Sequence, residues 1–327
     1  MPYLVDDLFV HGNQITGGLG VGNIYFVANS TSSSYAELAR RLSSKRHTDG
    51  SLIFHPHTAT ASTVTTNGLK SALACTVEDR NDYVIVMPSN GTYYIDEALA
   101  MNKKAVHLVC PAGFGYEIGA TNAARIQQIG AYAIIAVTDA AVEIAGLYLK
   151  NMDGYSAITL GTGTAYAPNI HHNTFPLIWT ASAIGSIIGA GDAGAWGKIE
   201  RNWFISQSGG AQTCAAGIIQ IQAAATGAQV NHNQIDIGDT QIATIAISNA
   251  AVKGSTSFNI FSECGGDGVA TNGGTITKCI SMNASGSAIG NRAAVGTGQM
   301  FSGGTASHSF ADNMDGVTGG ETANIEA

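Results

Sequence analysis

Hydrophobic positions in this chain fall in short aliphatic runs separated by small and polar residues, and the runs return at near-regular intervals. A phrase of the form aliphatic, two residues, Asn, one residue, aliphatic or aromatic occurs three times. It reads Ile170-His171-His172-Asn173-Thr174-Phe175, Ile199-Glu200-Arg201-Asn202-Trp203-Phe204 and Val230-Asn231-His232-Asn233-Gln234-Ile235. The asparagines are 29 and 31 residues apart (202−173 and 233−202). Between them a small residue introduces a second aliphatic run, as in Ala157-Ile158-Thr159-Leu160 and Gly217-Ile218-Ile219-Gln220-Ile221. A fixed period of this length marks a repeat architecture. Each run is too short to bury its apolar face alone. Laid on the equivalent run of the next turn, about 4.8 Å away, it encloses one continuous core. An Asn at the same point of each turn can hydrogen-bond the backbone at a bend and the Asn above it.

Before the repeats, Ile24-Tyr25-Phe26-Val27 has strand composition. Two short amphipathic helices follow. One spans Ser34 to Leu42, with Tyr35, Leu38 and Leu42 on one side and Arg40 and Arg41 outside. The other spans about Thr66 to Cys75, with an apolar stripe of Leu69, Ala72 and Leu73. A helix across the first turn would cover the open edge of the stack. Strands then follow from Tyr83 to Leu149, and Gly146 is expected on the first rung of the Asn column. The count is about eight turns, a stack of about 35 to 40 Å. The expected divisions are residues 1–22 as an arm or linker, 23–80 as a helical cap and opening strand, 81–290 as the coil, and 291–327 as a degraded last turn and tail.

These phrases resemble the right-handed parallel β-helices of pectate-lyase type, with their internal asparagine ladder, over roughly residues 22 to 280. The resemblance implies an all-β fold: a single right-handed parallel β-helix with short N-terminal capping helices and an N-terminal arm. The opening, Gly22-Asn23-Ile24-Tyr25-Phe26-Val27 through Tyr83-Val84-Ile85-Val86-Met87-Pro88, is similar to that of uncharacterised β-helical proteins of phage genomes. Those carry Pro-Gly after the strand, where this chain has Pro88-Ser89-Asn90-Gly91. That resemblance implies a non-enzymatic virion protein, a decoration, fibre or spike subunit, forming a homotrimer and meeting other virion proteins through its arm, with host-surface polysaccharide as a further partner. An extracellular location is the alternative.

Composition narrows the field. Of 327 residues, 12% are charged and 45% hydrophobic, with 41 glycines, which suits a tightly wound β structure better than disorder. A formal charge of −8 argues against nucleic acid as a partner, and no run is long enough for an apolar membrane span. The first residues lack the pattern of a secretory signal. The five cysteines, Cys75, Cys110, Cys214, Cys264 and Cys279, have no metal spacing and read as small buried thiols, with Cys279 where earlier turns carry Asn.

Equal offsets from the Asn stack into columns. Two places before it stand His171, Glu200 and Asn231; one place before stand His172, Arg201 and His232. Such a gathering could serve a sugar-binding or acid–base site, against the plainer reading of a satisfied polar ladder beside a bend. Metal binding by His171 and His172 together with His232 is disfavoured because neighbours on a strand point to opposite faces. No cofactor is expected. Among the carboxylates, which include Asp139, Glu143, Asp153, Asp192 and Asp239, the nearest approach to a lyase-like set is Glu200, Arg201 and Asp236, against a plain reading of surface charge. On that set rests the alternative function, a tailspike-like polysaccharide lyase or glycoside hydrolase acting in a groove. Trp179 and Trp196 lie in loop-like stretches and Trp203 one place after an Asn. These three, with His172 and His232, are the candidates for ligand or interface contact.

Overall fold

The computed structural model describes residues 22–42, 52–111, 123–139, 141–151, 154–161, 167–177, 186–189, 197–206, 217–222, 227–236 and 255–262. It also describes short strands at 8–10, 13–15, 213–214, 242–243, 245–249, 267–271, 275–277, 280–282, 301–302, 305–307, 310–311 and 325–326. The fold is all-β and solenoid-like, with two helices among the described residues. Three long sheets of 12, 10 and 8 strands form its walls. In each turn the chain visits them in the same order. Asp82–Val86, Tyr93–Ile95 and Leu99–Met101 give one strand to the first, second and third wall, and Val106–Val109, Ala124–Gln128 and Ile135–Val137 repeat the circuit. The third wall receives one strand per turn, so its eight strands among the described residues mark eight circuits. Pairing along the walls is parallel, apart from the edge pair Leu52–Ala59 and Val64–Thr66.

Register explains why such short strands hold. In the first wall Leu108, Ile144, Ile170, Ile199 and Val230 are partners in succession and all face the interior. In the third wall Ile135, Ile158, Ile188, Ile219 and Ile247 do the same. In the second, Phe175 and Phe204 stack with centroids 4.7 Å apart and planes 8° from parallel. Each aliphatic side chain therefore lies over a like neighbour, and one core runs from Tyr25 to Ile247.

The helices do different jobs. Helix α2 (Gly68–Cys75) buries Leu69, Ala72 and Leu73 in that core, covering its N-terminal end. Asn67 caps its start by accepting from the Lys70 amide at 3.1 Å, and the Lys103 ammonium donates to the Leu73, Ala74 and Thr76 carbonyls at its close. Gly68 sits where a Cβ would lie 2.4 Å from the Pro56 carbonyl oxygen, so only glycine lets the helix approach. Helix α1 (Tyr35–Leu42) buries no residue in the interior. Its Leu38 and Leu42 rest on Ile24, Phe26 and Ile85, outside the first wall. The outermost strand at this end is the three-residue Val64–Thr66, short enough to present little unpaired edge.

At the chain ends, Leu8–Val10 and Asn13–Ile15 pair antiparallel within the segment read from sequence as an arm or linker. Phe301–Ser302, Thr305–Ser307 and Phe310–Ala311 continue the three walls, and Ile325–Glu326 pairs with Phe310–Ala311. Cys279 lies outside the described residues; Cys110 is buried as expected, whereas Cys75 is exposed.

Candidate functional site

The site grows from the bend between the first and second walls. There Asn173, Asn202, Asn233 and Asn259 lie buried one above another. Each side chain clamps the bend of the turn before it. Asn202 Oδ1 accepts from the Asn173 amide at 3.0 Å and from Asn173 Nδ2 at 3.1 Å, while Asn202 Nδ2 donates to the Ile170 carbonyl at 2.9 Å. Asn233 repeats this for the bend at Ile199–Asn202, and Asn259 for that at Val230–Asn233. One carboxamide thus ties the two ends of a four-residue bend. The residue before each Asn is forced into the left-handed region: His172 at φ 53°, Arg201 at 54°, His232 at 56° and Phe258 at 56°.

Two corrections follow. Asn259 went unread because Thr256 replaces the aliphatic residue three places before it; the interval of 26 residues from Asn233 was the remaining signal. Gly146 is not a rung. It aligns with His172 at the left-handed position, φ 69°, and Leu147 takes the level of Asn173, whose Oδ1 accepts the Leu147 amide at 3.0 Å. At the far bend of the second wall, Gln128 and Asn151 form a second pair of buried amides. They donate to the Tyr132 and Tyr155 carbonyls, and no spacing in the sequence announces them.

Outside the Asn column, the first wall presents aligned polar side chains. His107, Glu143, Asn169 and Lys198 are successive partners; so are Ala145, His171, Glu200 and Asn231. Three turns contribute to one cluster. Glu143 Oε2 meets His107 Nδ1 at 2.7 Å and Glu143 Oε1 meets His171 Nε2 at 2.8 Å. The other His107 nitrogen meets Asn81 Oδ1 at 2.6 Å, and its ring stacks on Tyr83, centroids 4.1 Å apart. These hydrogen bonds, from His107 first and then His171, outweigh burial and hold the Glu143 carboxyl down at about 2. His172 is held below the ordinary imidazole value, chiefly by burial, then by His171 and Arg201. Sequence reasoning singled out His171 but not the pairing of His107 with Glu143, which lie 36 residues apart.

No family model, curated protein or solved structure matches this chain. The site is therefore read from its own geometry. His171 and His172 do not diverge as strand neighbours would. His172 turns through the bend, and the two Nδ1 atoms meet at 2.8 Å with the rings nearly perpendicular. Glu200 and Arg201 share one turn, at the end of the first wall. Asp236 is in the next turn on the second wall, paired with Ile205 and Ser262, and its side chain lies outside the described residues. Trp203 is half-buried on the second wall, in register with Thr174 and Gln234. His232 stacks on Phe258 at 4.7 Å. Trp179 and Trp196 lie outside the described residues. Among the described residues, no group of three or more His, Cys, Asp or Glu is placed to hold a metal ion, and no helix is long and apolar enough to cross a membrane.

Proposed function

We propose that the three walls form a single right-handed parallel β-helix of pectate-lyase type. Crossovers between parallel strands of one sheet are right-handed in almost all proteins, which supports that hand. We further propose that the protein is a non-enzymatic structural component of a phage virion, a decoration, fibre or spike subunit. It associates as a trimer and meets other virion proteins through its N-terminal segment. One observation carries the reading: Glu143, the carboxylate at the centre of the imidazole cluster, has both oxygens engaged by imidazoles of the turns on either side, which hold its pKa down at about 2. A general base works best with a pKa near the operating pH, and a general acid must still carry its proton there. Glu143 meets neither need and serves instead to tie successive turns together. The similarity of the opening stretch to phage proteins supplies the biological setting.

A second reading, a tailspike-like depolymerase or lyase, is favoured by the placement of Glu200 and Arg201 beside these imidazoles on one outer face. Mass spectrometry of purified particles tests the first reading, and the chain is expected among the virion proteins. Incubation with capsular and pectic polysaccharides separates the two. Chain shortening or new unsaturated ends would establish the enzyme, whereas unchanged polymers are expected. Light scattering is expected to give three times the chain mass; a monomer at high concentration would remove the trimer.

A further inference from the structure

We propose that His171 and His172 form a two-imidazole binding site for a divalent transition-metal ion of the copper(II) class. Two features argue for it, independently of the virion reading. First, the left-handed backbone at His172 turns its ring toward His171, so the two Nδ1 atoms converge at 2.8 Å. With metal–nitrogen bonds of about 2.0 to 2.1 Å, that separation subtends roughly 85 to 90° at the ion, whereas a tetrahedral ion needs about 3.3 Å between nitrogens. A right angle between nitrogen ligands is the demand of a tetragonal ion, and imidazole suits copper(II), which also heads the affinity order of the divalent series.

Second, Glu143 Oε1 meets His171 Nε2 at 2.8 Å, and with the His171 proton on Nε2 the Nδ1 lone pair faces His172. A carboxylate behind a ligating histidine fixes its tautomer and raises its basicity. Glu143 is itself fixed by His107, which is held by Asn81. Without metal one Nδ1–H is donated to the other Nδ1. On binding, that proton moves to the far nitrogen of His172 and both lone pairs turn to the ion, with water filling the remaining positions. Glu143, Glu200, His107 and Arg201 are the charged or titratable groups around the pair. The single bond to each ring makes the site labile and exchangeable.

The test is titration of the full-length, metal-stripped chain with copper(II), followed by calorimetry and electron paramagnetic resonance. The expected result is one equivalent bound ahead of any other, with an axial spectrum carrying hyperfine splitting from two imidazole nitrogens. His172→Gly suits the left-handed backbone and removes one ligand. It is expected to abolish that equivalent while the thermal midpoint stays at or above wild type. Glu143→Gln is expected to weaken binding about 10- to 100-fold. A His172→Gly titration superimposable on wild type, or a wild-type spectrum without two coordinated nitrogens, would overturn the site. An undiminished affinity in Glu143→Gln would overturn the positioning role of the carboxylate.

Discussion

At the scale of single residues, the fold depends on groups that bond backbone rather than fill space. Asn202 satisfies an amide and a carbonyl of the turn before it, and its own amide is received by Asn233. Asn202→Ala leaves several buried groups without partners, each costing about 1 to 3 kcal/mol. A loss of about 3 kcal/mol is expected in urea unfolding, and a change within about 0.5 kcal/mol would deny the clamp its role. Gly146 makes the complementary point. A Cβ there would lie 2.2 Å from the Cys110 carbonyl oxygen, in a backbone conformation at φ 69°. Gly146→Ala is expected to destabilise by about 1 to 3 kcal/mol, while Gly161→Ala, where φ is not left-handed, is expected to cost less. Residue identity was enough to read three members of the Asn column, Asn173, Asn202 and Asn233, but not Asn259. It was not enough to place Gly146, because glycine and asparagine both suit left-handed bends and only strand register tells one position from the next.

At the scale of elements, the N-terminal end carries a pH-dependent contribution to stability. His57 on Leu52–Ala59 is fully buried; one nitrogen contacts the Tyr94 carbonyl at 3.0 Å, and burial pushes its pKa down to about 4. The unfolded chain takes up a proton near the ordinary value of 6.5. Folding therefore excludes a proton between those values. The contribution of His57 is complete above about 6.5, declines as pH falls toward 4, and is flat below that. The difference amounts to about 3 kcal/mol. Urea midpoints measured from pH 7.5 to pH 4 should fall less steeply in His57→Phe than in wild type, and parallel curves would refute the assignment. Composition marked both helices correctly, Ser34 to Leu42 and Thr66 to Cys75, because each carries an amphipathic stripe. It did not distinguish their roles. Leu38 and Leu42 meet the outside of a wall, whereas Leu69 and Leu73 close the core, and that depends on which surface the surrounding strands leave open.

At the scale of the molecule, the coil is a quasi-linear stack, so its ends limit its stability. Leu69 is fully buried in the core at the N-terminal end. Leu69→Ala is expected to cost about 2 to 5 kcal/mol. Hydrogen exchange should accelerate at Val84 and Tyr93 in the first circuit before it does at Ile199 and Val230 in the middle. Uniform acceleration along the chain would show that the turns unfold as one unit rather than from the end.

The sequence alone determined that strands recur, how long each circuit is and which asparagines mark the bends. Those are local, periodic facts, repeated often enough to stand above variation in single turns. Only the tertiary structure decided that His107, Glu143 and His171 meet, that His172 turns toward His171, and that Asn259 and the Gln128–Asn151 pair join the buried amides. The reason is physical. Neighbours in this architecture are about one circuit apart in sequence, circuits differ by several residues in loop length, and a shift of one position moves a side chain from the interior to the surface.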